Sequence, residues 1–174
     1  ITSSVPFRLN KIYPTVFFHE VEVNNYSVFQ YPPYDIALAS KMADVIKDEK
    51  LDVLHVHYAI PHAVCAVLAR DMCGENIGIV TTLHGTDISV LGEDSTLQQA
   101  IKYGIDRSDI VTTVSDALKA ETYERIETTK PIETIYNFVD EEVFHPMDGS
   151  KLKQQFGIRE DERVLIHISN FRKI

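Results

Sequence analysis

Short apolar strands that alternate with helix-period segments, each strand stopping at a cluster of polar side chains, most constrain what this chain can fold into. Residues 51–58, 77–84, 109–114 and 132–136 read as strands, and 61–72, 95–104 and 116–127 read as the helices between them. An earlier helix spans 34–50, with Ile36, Ala39, Met42, Ala43 and Ile46 at helical spacing and Pro32 and Pro33 suited to its start. Residues 16–23 alternate as a further strand, closed by Asn24 and Asn25. Strict alternation of this kind is the pattern of an α/β fold, a parallel sheet with helices on both faces. In such sheets ligands sit beyond the carboxyl ends of the strands.

Two of those ends are rich in chemistry. The strand at 77–84 runs into Thr81, Thr82, Leu83, His84, Gly85, Thr86 and Asp87; the strand at 51–58 ends in His55, His57 and Tyr58. The period of two puts Thr82 on the side of His84, and places His55 and His57 on one face about 7 Å apart. A hydroxyl and an imidazole at that spacing could bind a carboxylate or a sugar hydroxyl. Gly85 permits a sharp turn, and Asp87 is placed to cap the segment after it. A His-x-His pair can also open a metal site, but zinc takes three or four ligands and no carboxylate or cysteine is placed locally to complete them. A metallohydrolase built on His55, His57 and His84 therefore stands as the weaker alternative.

The chain of 174 residues suits one domain plus part of another, and can bury roughly 70% of its unfolded surface without a disulfide or metal. A formal charge of −9 argues against nucleic acid or an acidic membrane as partner, since both call for clustered Lys and Arg. No apolar run approaches the ~20 residues of a membrane span, and no signal peptide is evident. Cys65 and Cys73 are eight apart, which is not a zinc spacing, so buried free thiols in a reducing compartment are expected. That compartment points to the cytoplasm. Neither a Gly-x-Ser-x-Gly elbow nor a phosphate-cradling glycine loop is present.

After Asp140 the texture changes. A loop with Pro146 and Gly149 leads to a short helix capped by Ser150 and ended at Gly157, then to a new buried strand at 164–168. A domain boundary is expected here, with residues 1–143 as one unit and 144–174 as the start of a second. Ile1 falls in mid-pattern and is not an initiating Met, so the sequence reads as an excerpt.

Five runs then occur in a telling order: Asp-Val-Leu-His-Val-His-Tyr at 52–58, Thr-Leu-His-Gly-Thr-Asp at 82–87, Val-Thr-Thr-Val-Ser at 111–115, Tyr-Asn-Phe-Val-Asp at 136–140 and Ser-Asn-Phe-Arg at 169–172. Together they resemble the family 4 glycosyltransferases. Pro-Phe-Arg-Leu-Asn at 6–10 and Tyr-Ser-Val-Phe-Gln-Tyr-Pro-Pro-Tyr at 26–34 look, within that family, like the branch that serves bacillithiol synthesis. The resemblance implies two facing Rossmann-like domains (the GT-B fold), the first binding acceptor and the second nucleotide-sugar, with retention of anomeric configuration and no metal or other cofactor. It implies UDP-N-acetylglucosamine as donor and L-malate as acceptor, with a homodimer as a further expectation. Tyr58 and Thr82 match positions that hold the malate carboxylates, and His84 matches the histidine beside the reacting sugar. Arg172 matches the arginine that neutralises the leaving diphosphate. Asn137 matches a donor-side position, but Tyr136 and Phe138 stand where the family writes Pro and Gly. The match covers most of an acceptor domain and the opening of a donor domain, so the excerpt alone is expected to transfer nothing.

Overall fold

The computed structural model describes Ile1 and residues 14–168, which leaves Arg172 and Lys173 outside the described residues. The chain divides into two compact units, Ile1–Tyr136 and Asn137–Ile174.

The first unit is built on a four-stranded parallel sheet of order β1-β2-β3-β4: β1 Val53–His57, β2 Gly78–Leu83, β3 Ile110–Thr113 and β4 Ile132–Thr134. The connections carry α1 Tyr34–Glu49 ahead of β1, α2 Val64–Cys73, α3 Gln98–Arg107 and α4 Asp116–Ile126. This is a Rossmann-like α/β arrangement, and its in-line register stacks Val56, Thr81, Val111 and Ile132 across one face. Leu38, Met42 and Ile46 of α1 and Val67 of α2 pack with Leu54, Val56 and Ile79. Ile101 and Ile105 of α3 and Leu118 of α4 pack with Leu83, Val111 and Ile132. Each such fully buried Leu or Ile contributes about 1.5–3 kcal/mol. Val53, Val80 and Ile110, on the opposite face, belong to neither cluster, so among the described residues the helices gather on one side. His55, His57, Thr82 and Thr112 share that second face.

Several elements depart from the sequence pattern for identifiable reasons. Residues 16–23 form no strand beyond a single bridge at Glu20, and Phe17 is exposed. In α1, Ile36 is exposed and Leu38 takes its expected place in the core. Gly104 does not end α3 but lies inside it. A Cβ there would stand 2.8 Å from the Ala59 carbonyl oxygen and 3.1 Å from Ala63 Cβ, so the helix can approach the turn before α2 only without a side chain. Ser115 caps α4 as expected, its Oγ accepting from Leu118 N–H at 3.2 Å.

In the second unit, α5 spans Ser150–Gln155; Gly149, not Ser150, is its N-cap, and the Asp148 carboxylate accepts from Ser150 N–H at 3.0 Å. The expected buried strand at 164–168 does not form, and Leu165 is 96% exposed. Among the described residues of this unit there is no other strand, and a lone strand has no partner for its amides. No helix among the described residues is long and apolar enough to cross a membrane.

Cys65 and Cys73 are both free. Cys65 is buried against α1, donates to the Asp35 carbonyl at 3.3 Å, and burial pushes its thiol up to about 12. Cys73 is partly exposed. At pH 8, a thiol reagent should therefore modify Cys73 first and Cys65 only on unfolding. Equal labelling rates for the two would contradict this packing.

Candidate functional site

The carboxyl ends of β1 and β2 lie side by side, and a single carboxylate joins the loops that leave them. Asp87, 0% exposed, accepts from Ala59 N–H at 2.9 Å through Oδ2, and from His84 N–H and Gly85 N–H at 3.2 and 3.0 Å through Oδ1. These three backbone donors are what a buried carboxylate needs to stay satisfied. The sequence pattern assigns Asp87 only a capping role. The local signal is an Asp just after a glycine turn, where short acidic side chains bond nearby amides; the third donor, from the turn after β1, has no sequence signature.

The clamp holds two unusual backbones. Tyr58 sits at φ 76°, ψ 135°, and Gly85 at φ 118°, ψ −58°. A positive φ at tyrosine stores strain that its surroundings must compensate. Tyr58 N–H extends the sheet ladder to the Thr82 carbonyl at 2.9 Å, and its own carbonyl accepts from Ala63 N–H at 3.2 Å. The chain thus leaves the strand abruptly at Tyr58, and its ring comes to 5.1 Å from that of His84 between centroids.

Around this pair lies a group of imidazoles that the register explains. His57 is paired with Thr82, so His84 lies two positions on, along the same face. His57 Nδ1 and His84 Nε2 are 2.7 Å apart, a hydrogen bond. His55 stacks on His57 at 4.9 Å and bonds through Nε2 to the Thr82 hydroxyl at 2.8 Å. His62 Nδ1 lies 2.6 Å from the His57 carbonyl; since a carbonyl only accepts, that nitrogen carries its proton. Burial first, and then the neighbouring His55, His84 and His62, pull the His57 imidazole below the ordinary histidine range. His57 and His62 open onto a groove of about 710 Å³, also lined by Tyr34, His19 and Glu49.

The residues singled out from the sequence are thus not all equivalent. Tyr58 and His84 converge at the rim. Thr82 lies one layer beneath, 9% exposed, its hydroxyl engaged by both His55 and Thr112 at 2.8 Å. That hydroxyl supports the His55 imidazole and, with two partners, keeps one further hydrogen-bonding position. Asn137 is exposed and belongs to the second unit, and Arg172 lies outside the described residues. Among the described residues no three His, Cys, Asp or Glu side chains are arranged to hold a metal ion.

The next two strand ends add a carboxylate. Asp116, at the start of α4, accepts from Thr134 Oγ1 and from the Tyr136 hydroxyl, each at 2.6 Å. These two donors hold its carboxyl below the usual range, and Asp116 in turn raises the Tyr136 phenol. Tyr136 therefore has a definite task, anchoring the β4 end to α4.

Comparison with known proteins agrees with this geometry. The model of Glycosyltransferase Family 4 matches residues 2–143. N-acetyl-alpha-D-glucosaminyl L-malate synthase of Bacillus anthracis is 63% identical over 174 residues, all of this chain and 46% of the relative. An uncharacterised glycosyltransferase of Methanocaldococcus jannaschii is 28% identical over 102 residues, 59% of this chain and 28% of the relative. The chain thus spans less than half the length of either relative. The family match covers well over half of the chain: this chain belongs to Glycosyltransferase Family 4.

Proposed function

We propose that the full-length protein is a retaining glycosyltransferase that moves N-acetylglucosamine from UDP-N-acetylglucosamine to the hydroxyl of L-malate, the first step of bacillithiol synthesis. The observation that carries this reading is the 63% identity, along the whole chain, to an N-acetyl-alpha-D-glucosaminyl L-malate synthase. The convergence of Tyr58 and His84 at adjacent strand ends supports it. The Tyr58 phenol is suited to donate to a malate carboxylate, and the His84 imidazole to lie against the reacting hydroxyl and sugar. Thr82, bonded to His55, offers its hydroxyl to the malate carboxylates beside Tyr58. Arg172 and Asn137 carry the donor side, the guanidinium offsetting charge on the leaving diphosphate.

In the same reading residues 1–143 supply acceptor binding and 144–174 open the donor domain, no metal takes part, and the protein works as a cytoplasmic homodimer.

Tyr58→Phe in the full-length protein tests the acceptor. Loss of one hydrogen bond to a charged group costs about 1.5–3 kcal/mol, so the KM for L-malate should rise at least tenfold. Release of UDP to water should not change. An unaltered malate KM would sink the assignment of Tyr58 and, with it, the physical case for malate. A second reading, the same fold acting on a different acceptor, would then be preferred.

A further inference from the structure

We propose that His57 and His84 work as a one-proton pair, and that binding an acceptor carboxylate draws a proton from solvent onto it. This rests on the reading that the acceptor is an acid.

Three observations carry the inference. First, segments 53–63, 78–92, 110–118 and 132–136, which form the four strand ends, contain no Lys or Arg. Histidine is the only side chain in them that can become cationic, while Asp87, Asp116 and Glu133 are acidic. Within these segments an anionic acceptor meets a positive side chain only where an imidazole has taken up a proton. Second, the 2.7 Å separation of His57 Nδ1 and His84 Nε2 holds one hydrogen. Two protonated rings would point N–H at N–H there, so the pair carries either no net charge or one positive charge. Third, His57 is surrounded by further imidazoles, His55 stacked on one side and His62 bonded to its carbonyl, with the Tyr58 ring against His84. His19, 3.3 Å from the Glu49 carboxylate, lines the same groove with it, and the Asp87 carboxylate is already committed to backbone amides.

Burial first, and then the imidazoles around it, lower the His57 pKa, so a positive charge on that ring lacks support until an anion arrives. A carboxylate beside His84 supplies the missing attraction. Because the contact already holds one hydrogen, the added proton goes to the outward nitrogen of the ring that donates it, and the shared N–H then bonds the other ring as a charge-assisted hydrogen bond. His57 is then a positioning residue: it fixes which His84 nitrogen faces inward and shares the charge that holds the acceptor.

The test uses the full-length protein with L-malate. Titration calorimetry at pH 7.5, in two buffers of different ionisation enthalpy, should show close to one proton taken up per malate bound. The KM for malate should climb about tenfold per pH unit above the pair's titration, since one proton is linked to one ligand. In His57→Asn an amide oxygen can still accept from His84 Nε2 but cannot take the proton. Proton uptake at pH 7.5 should fall, and the rise in malate KM should begin at lower pH, with the KM for the nucleotide sugar unmoved. Buffer-independent heat with malate bound overturns the proton link while leaving the acceptor reading intact. Absence of malate binding at any pH overturns both. A variant that weakens donor and acceptor KM alike marks His57 as merely structural and also overturns the proposal.

Discussion

Replacing Asp87 by Asn should cost roughly 3 kcal/mol and lower the thermal midpoint by roughly 6–12 °C, among the largest effects of any single substitution in this chain. The carboxylate takes three backbone N–H groups with two oxygens. An asparagine keeps one oxygen and turns an NH2 toward a backbone donor. Whichever way the amide faces, either Ala59 N–H or the His84 and Gly85 amides are left unpaired in a fully buried site. Each orphaned donor costs about 1–3 kcal/mol, and the charge that strengthened every bond is gone.

The loops released are those that carry Tyr58 and His84, so kcat/KM should fall by at least about 10²-fold, as displacements near 1 Å can cause. Thermal unfolding and steady-state rates of the full-length Asp87→Asn protein check both. A midpoint within roughly 2 °C of the parent would sink the clamp. A lowered midpoint with intact rates would show that the loops hold their shape without it.

Much of this site is legible in the sequence alone. The strands at β1, β2, β3 and β4, the cap at Ser115 and the convergence of two polar ends all come from local rules: apolar period, turn residues, helix caps. What local rules cannot give is register. His55 reaches Thr82, and His57 reaches His84, because β1 pairs with β2 in one alignment and not in another. The Thr82 hydroxyl is thereby also a support for an imidazole. The Asp87 clamp escapes for the same reason, since its donor at Ala59 lies 28 residues away along the chain. The strand expected at 164–168 marks the opposite failure. Its apolar run is real, yet a strand is completed by a partner, and its own sequence carries no information about one. Gly104 misleads differently: a glycine near a helix end usually stops the helix, but here it is needed for closeness, not for a left-handed turn.

That closeness sets the second large effect. Gly104→Ala should destabilise by about 1–3 kcal/mol, the range for forcing a methyl group into packed surroundings. The new Cβ would meet a backbone oxygen, that of Ala59, at 2.8 Å; no rotamer change can move it aside. Either α3 backs away or the turn at Ala59–Ala63 shifts. Now Ala59 is the residue whose N–H is held by Asp87. The same residue is therefore fixed on both sides, by a carboxylate on its N–H and by an absent side chain beneath its carbonyl. If the turn is the part that yields, the two substitutions spoil one arrangement, and the second costs less once the first is made. The double variant Asp87→Asn, Gly104→Ala should fall short of the summed losses by about 1 kcal/mol or more, on the order seen for residues sharing a contact. Denaturant unfolding of the four proteins in the cycle measures it. Strict additivity would mean that α3 moves instead, leaving the turn and Tyr58 in place; Gly104→Ala would then lower stability and spare the KM for the acceptor.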